Sequence, residues 1–286
     1  MPELPEVETI KRGLSRKIIG HTITDVTILN AKSFQGLKAK IIGQKIIGVD
    51  RRAKVLRLML ENNQNLLFHL KMTGQLIYLY SKKRIAGGHP SHDWHADLPN
   101  KHTRLIIHFD HSSALFFNDL RKFGWCKILS DSEVDNIFSG YGPEPFSPEF
   151  TVQYLIERAK KIPNRTIKQF LMDQSIIAGV GNIYNDESLY LSKVSPLTKV
   201  KSITPEDWQN IHKSLRSVLE KGIKFGGTTD SDYVDSEGKK GGMQEHLNVY
   251  HRNGLKCIRC KGTIVRINIG GRGTYYCPTC QKELHG

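Results

Sequence analysis

The sequence predicts a multidomain α+β protein: a helix-led, strand-rich N-terminal part, a helical middle, and a small metal-bound hairpin at the C-terminus. Three observations carry this. Short apolar runs of strand length recur from Ile23 to Leu129. The apolar period lengthens to a helical one after Tyr141-Gly142-Pro143-Glu144-Pro145, where a domain boundary is expected. Four of the five cysteines lie in the last 30 residues as two Cys-x-x-Cys pairs.

The first helix is marked at both ends. Val7, Ile10, Leu14 and Ile18 form its apolar stripe, Glu6 and Glu8 lie in its first turn, Arg16 and Lys17 in its last, and Gly20 stops it. Ahead of it stands Met1-Pro2-Glu3-Leu4-Pro5-Glu6. If Met1 is removed, Pro2 presents a secondary amine at the positive end of the helix, able to condense with an aldehyde-level carbon. The plainer reading is a stiff, inert lead into a capped helix.

Strands are expected at 23–28, 41–49, 55–60, 66–70, 76–80, 105–109, 115–117 and 125–129, with hairpin loops at Asn62–Asn65 and Asp110–Ser113. Eight short strands so spaced suggest a sandwich or barrel. Ser81–Lys101 reads as a long surface loop, whose His89, His92 and His95 lack the Cys or carboxylate company of a metal site. Cys126, beside Trp125 and Ile128, reads as a small buried hydrophobe.

Past the boundary, Ser147-Pro148-Glu149 reads as a helix start, Ile167, Phe170 and Leu171 mark a second helix, and a third opens near Asn182. A fourth begins at Thr204-Pro205-Glu206-Asp207, has Trp208, Ile211, Leu215 and Val218 on one face, and ends at Gly222. Lys224–Gly242 is poor in apolar residues and reads as a mobile loop.

Cys257-x2-Cys260, 16 residues, then Cys277-x2-Cys280 is the spacing of a four-thiolate zinc site. One zinc so held has no open position and serves folding. Strands are expected at 263–268 and 274–276; Arg266 and Arg272 with Gly270, Gly271 and Gly273 make the hairpin a phosphate-contacting finger. Forty-two Lys+Arg against 28 Asp+Glu leave +14 and a pI near 9.5, which favours a polyanionic partner, nucleic acid before acidic membrane. A composition 38% hydrophobic and 24% charged excludes a disordered chain. With no signal peptide and no bilayer-length apolar run, cytoplasmic residence is expected.

The run from Met1 to Thr9, Arg51-Arg52-Ala53-Lys54, Gly179-Val180-Gly181-Asn182-Ile183-Tyr184 and the four-cysteine finger together resemble the formamidopyrimidine-DNA glycosylases, essentially end to end. The resemblance implies an N-terminal β-sandwich with its N-terminal helix (1–140), a helix–two-turn–helix domain with a flexible loop (141–242) and a β-hairpin zinc finger (243–286). It implies excision of oxidised purines, 8-oxoguanine and formamidopyrimidines, from duplex DNA, followed by strand cleavage; a monomer is expected. By the resemblance Pro2 is the nucleophile at the sugar C1′ and Glu3 its acid/base partner. Lys54 serves β-elimination and phosphate contact, Arg272 serves δ-elimination, and Asn182 is a phosphate ligand. His102 and Arg121 contact DNA, and Met72, Arg121 and Phe123 fill the void a flipped nucleotide leaves. On sequence grounds alone, Met72 and Phe123 would otherwise be core and Lys54 a solvated edge charge.

Leu120 stands where the family often has proline, Lys122 where it has a second arginine, and Gly241-Gly242-Met243 where the loop over the flipped base is more aromatic. These departures touch lesion preference. Two alternatives stand beside this reading: an endonuclease VIII-like enzyme for oxidised pyrimidines, and a DNA-binding protein that has lost the chemistry. Leu4 in Pro-Glu-Leu-Pro-Glu favours the purine reading over the first. Pro2, Glu3, Lys54 and Arg272 together argue against the second, since binding needs no N-terminal amine.

Overall fold

The computed structural model describes residues 1–81, 83–88, 97–228 and 241–284, with 83–88 described by backbone alone. The chain divides into two units, Met1–Gly140 with Gly222–Gln244, and Tyr141–Lys221 with Glu245–Gly286.

In the first unit α1 (Leu4–Ile18) starts where expected, with Pro5 in a first turn that has no need of its N–H. Val7, Ile10, Leu14 and Ile18 are all buried in the main core. Each such burial is worth roughly 1.5–3 kcal/mol, so packing outweighs intrinsic propensity in holding α1. The core lies within a two-sheet sandwich built from β1 (Ile23–Ile28), β2 (Phe34–Gln35), β3 (Ile46–Arg52), β4 (Val55–Leu60), β5 (Gln64–His69), β6 (Gly74–Tyr80), β7 (Lys83–Gly88), β8 (Thr103–Phe109), β9 (Ser113–Asp119) and β10 (Trp125–Ser130). The sheet orders are β1-β8-β9-β6-β7 and β2-β10-β5-β4-β3. Leu58 and Phe68 of one sheet share the core with Leu76, Leu105 and Phe117 of the other. Cys126 is buried there, as its neighbours suggested, and burial pushes its thiol up.

Several local expectations are corrected. The strand expected at 41–49 runs from Ile46 to Arg52, because Lys38–Ile41 closes a turn (Ile41 N–H to Lys38 O, 3.1 Å) and Gly43 sits at φ +81°. β7 occupies part of the expected 81–101 loop, pairing with β6; His89, His92 and His95 lie outside the described residues. Helix α2 (Asp131–Phe138) carries an overlooked signal, a capping box in which Ser130 and Glu133 satisfy each other's backbone N–H. The Asp110–Ser113 hairpin stands, with His111 and Ser112 both at φ +54°.

In the second unit the helix expected from Ser147 begins later, as α3 (Val152–Lys160), because Thr151 supplies the cap, accepting from Tyr154 N–H at 3.0 Å. α4 (Ile167–Met172) is capped by Thr166, and α5 (Asn182–Ser192) opens after Gly181. α6 (Pro205–Lys224) buries Trp208, Ile211, Leu215 and Val218 and runs two residues past Gly222. The finger hairpin pairs β11 (Val265–Ile269) with β12 (Arg272–Tyr276). Its two-residue turn has Gly270 at φ +56° and Gly271 at +76°, a conformation that glycine adopts without strain. Among the described residues no helix is long and apolar enough to cross a membrane.

Candidate active site, insertion loops and metal centre

Pro2 and Glu3 are buried at the start of α1, and Met1 ahead of them is exposed. Glu6 ties this start down. One carboxylate oxygen accepts the Glu3 N–H (2.9 Å); the other accepts the Thr228 N–H (2.8 Å) and hydroxyl (3.1 Å). Thr228 is the last described residue before 229–240, so most of the expected Lys224–Gly242 loop lies outside the described residues. Gly241-Gly242-Met243 forms the base of that loop: Gly242 N–H reaches Phe225 O (2.8 Å), Met243 N–H reaches Gly227 O (3.1 Å), and Met243 is buried.

Lys54 sits in the two-residue turn between β3 and β4, beside Ala53 at φ +54°, and is only 7% exposed, not a solvated edge charge. Arg51 braces the turn. Its Nη1 donates to Ala53 O (3.1 Å) and its Nε to Glu8 of α1 (3.1 Å). Burial works to raise the Glu8 carboxyl, yet hydrogen bonds from Arg12 and Arg51 and the charges of Arg51 and Lys11 hold it below its ordinary value.

His69, which the sequence reading passed over, is paired with Val55 on one side and Trp125 on the other. Its Nδ1 accepts the Lys71 N–H (3.0 Å), leaving the ring proton on Nε2. Burial, then the charges of Lys71 and Lys54, lower its pKa from 6.5 to about 3, so it is a neutral donor at physiological pH. Between those values the unfolded state binds more protons, so this contribution is whole above 6.5 and declines as pH falls toward 3. Denaturation midpoints at pH about 7.5 and about 4.5 should show the parent losing more stability than His69→Asn. Equal losses would remove His69 as the cause.

Met72, Arg121 and Phe123 meet at one place. Arg121 Nη1 lies 3.1 Å from Met72 Sδ, and its guanidinium stands 4.9 Å from the centre of the Phe123 ring. Met72 is 42% and Phe123 54% exposed, so neither is core. Leu120 is 52% exposed, and Lys122 holds φ +59°. His102 is carried by the adjoining backbone: its N–H meets Asn100 Oδ1 (2.9 Å), and its carbonyl accepts the Asp119 N–H (2.9 Å).

In the second unit the sulfurs of Cys257, Cys260, Cys277 and Cys280 all lie within 4.8 Å of one another. Tetrahedral zinc with Zn–S bonds of about 2.3 Å sets its sulfurs about 3.8 Å apart. The Cys260–Cys277 and Cys257–Cys280 separations are 3.4 and 3.9 Å, right for a shared ion and far too long for a disulfide. The residues fit one structural zinc. Around it, Arg259 points at Cys280 Sγ (3.9 Å), donates to Tyr190 O (2.7 Å) and packs on the Tyr190 ring, whose hydroxyl is 3.5 Å from Cys257 Sγ. Both groups offset the negative charge of four thiolates.

The finger is fastened to α5. Asp186 accepts the Tyr275 N–H (2.9 Å), and Glu187 accepts the backbone N–H groups of Asn248, Val249 and Tyr250. Lys168, fully buried on α4, donates to Asp186 (2.7 Å) and to Asn182 Oδ1 (2.6 Å). Asn182 Nδ2 donates to Gly273 O (2.8 Å), beside the exposed Arg272 at the hairpin tip. Arg266 instead folds back over the Tyr275 ring.

A protein of net charge +14 with a protruding cation–aromatic wedge and an arginine-tipped zinc finger belongs, by its fold and surface, to the zinc-bearing nucleic-acid-handling proteins. Residues 1–126 match the model of the formamidopyrimidine-DNA glycosylase N-terminal domain, 141–234 that of its H2TH domain, and 254–282 that of the zinc finger found in FPG and IleRS. The chain belongs to the formamidopyrimidine-DNA glycosylase family. It is 38% identical to the formamidopyrimidine-DNA glycosylase of Desulforamulus reducens, covering 99% of each chain, and 39% identical to that of Chloroflexus aurantiacus, with the same coverage. It is also similar to Lactococcus lactis Fpg in complex with abasic-site DNA (TM-score 0.87, 32% identity, 98% of this chain and 100% of that one).

Proposed function

We propose that this chain is a bifunctional base-excision enzyme, removing oxidised purines from duplex DNA and then cleaving the strand at the abasic site. The observation that carries it is Pro2-Glu3 buried at the head of α1, pinned by Glu6, on a family scaffold. Removal of Met1 frees the Pro2 nitrogen. That amine attacks the sugar C1′, the base leaves with the electrons of the glycosidic bond, and Glu3 protonates the ring oxygen as the sugar opens to an iminium. Lys54 serves β-elimination and holds a phosphate; Arg272 serves δ-elimination. His69 Nε2–H is a further donor for a phosphate oxygen. Gly273 takes one hydrogen of the Asn182 amide, and the other is the one a phosphate would accept. Met72, Arg121 and Phe123 fill the gap left by the flipped nucleotide and offset an unstacking cost of a few kcal/mol or so, and His102 and Arg121 contact the DNA.

Zinc, held by Cys257, Cys260, Cys277 and Cys280, keeps the finger folded. The reading includes a three-part division at 1–140, 141–242 and 243–286, and a monomer acting on cytoplasmic DNA. Excision is measured on duplexes bearing 8-oxoguanine opposite cytosine and on duplexes bearing thymine glycol. The expected result is preference for 8-oxoguanine; preference for thymine glycol would move the chain to the oxidised-pyrimidine reading, and no excision of either would leave a binding protein.

A further inference from the structure

Asp119 ends β9, is completely buried, and stands at the junction of every loop that carries the insertion wedge. Its Oδ1 accepts the Thr73 hydroxyl, and it accepts the Arg121 N–H at 3.3 Å. Its Oδ2 accepts the Gly124 N–H at 2.7 Å. Thr73 Oγ1 in turn accepts the Arg121 N–H (3.0 Å), so the loop of Met72 and the loop of Arg121 and Phe123 are sewn to each other through one carboxylate and one hydroxyl. The Asp119 main chain continues the seam. Its N–H goes to the carbonyl of His102, and its carbonyl accepts Nε of the buried Arg104 (2.8 Å). Arg104 also donates to Lys101 O (3.1 Å).

We propose that Asp119 is the positioning residue of the wedge, fixing Met72, Arg121 and Phe123 in insertion geometry before DNA arrives; this rests on the void-filling reading above. The exposed wedge has little packing of its own to hold it. Met72 and Phe123 protrude, and Lys122 between Arg121 and Phe123 occupies a left-handed conformation that costs a non-glycine residue energy. The order must come from below, and the only side chain seen accepting from both ends of the 121–124 turn among the described residues is Asp119. A wedge sewn in place meets the base step without first ordering three side chains and two loops. Displacing such a group by about 1 Å is enough to cost up to about a hundredfold in rate.

The test uses full-length, zinc-loaded enzyme and compares the parent with Asp119→Asn, Thr73→Val and Phe123→Ala. Asparagine keeps the shape but turns one acceptor into a donor facing N–H or O–H groups; valine keeps the shape of threonine and removes the hydroxyl. Each is assayed for strand cleavage at an abasic site in duplex DNA and at the same site in a single strand, which has no void to fill. 2-Aminopurine opposite the duplex site reports unstacking directly. We expect Asp119→Asn and Thr73→Val to lower duplex cleavage about tenfold or more and to blunt the fluorescence rise, with single-strand cleavage within about twofold of the parent. Folded variants that keep the parent's duplex-to-single-strand ratio, while Phe123→Ala loses it, overturn the positioning role and leave the wedge standing. If Phe123→Ala also keeps that ratio, the wedge reading itself falls and takes the proposal with it. Equal loss on both substrates marks Asp119 as merely structural and likewise overturns it.

Discussion

Enzyme that retains Met1 will give no borohydride-trapped adduct with abasic-site DNA, and the same chain freed of Met1 will give one in high yield. In the retained form the Pro2 nitrogen is a tertiary amide whose lone pair is delocalised into the carbonyl, so it cannot attack a sugar carbon. The loss of strand cleavage should be at least about a thousandfold, the scale on which removing a nucleophile acts. Pro2→Gly is a weaker test, because glycine still brings a primary amine to the same place. Intact-mass measurement of the terminus, run beside the trapping gel, ties yield to the processed fraction. An undiminished adduct from chain shown to carry Met1 would transfer the chemistry to another amine, and Lys54, buried at the β3–β4 turn, is the first to examine.

Lys168→Met should destabilise the chain by about 3–5 kcal/mol, although no catalytic step uses this side chain. Lys168 and Asp186 are both fully out of solvent. Burial pushes the Asp186 carboxyl up to about 6 even with the Lys168 ammonium and the Tyr275 N–H pulling it down. Without the lysine a buried carboxylate is left uncompensated, and Asn182 Oδ1 loses its donor in the same stroke. Urea denaturation with zinc content checked in parallel measures it. Pairing Lys168→Met with Asp186→Leu should recover much of the stability, since an apolar pair of similar size often matches a buried ion pair. A Lys168→Met chain within about 1 kcal/mol of the parent would show the pair to be worth no more than a surface one.

Much of the architecture is written locally. The α1 stripe of Val7, Ile10, Leu14 and Ile18, the Asp110–Ser113 turn and the face of α6 were legible because each is a periodicity or a turn preference expressed within a few residues. The Ser130–Glu133 box was equally legible and was passed over. β3 was displaced because apolar Ile41 and Ile42 look like strand, while the turn at Lys38–Ile41 and Gly43 decides otherwise. Asp186 and Glu187 would be assigned to solvent by their chemistry alone, yet both are buried because partners 89 and about 60 residues away, Tyr275 and the 248–250 backbone, come to meet them.

The sequence by itself determined the strand-rich N-terminal part, the helical part after it and the thiolate spacing, and it nominated Pro2, Glu3, Lys54 and Arg272. Two Cys-x-x-Cys pairs need only short hairpins to converge on one ion, so their meaning is carried by spacing. Only the tertiary structure decided that Glu6 of the first helix would hold Thr228, and that Asp119 and Thr73 would sew together the loops of Met72, Arg121 and Phe123, a set the family resemblance had already grouped. Glu6 and Thr228 are 222 positions apart, and Asp119 and Thr73 are 46 apart. No local pattern encodes which buried carboxylate will answer which distant N–H; that choice is made when the sheets and helices pack and each desolvated polar group must find a partner.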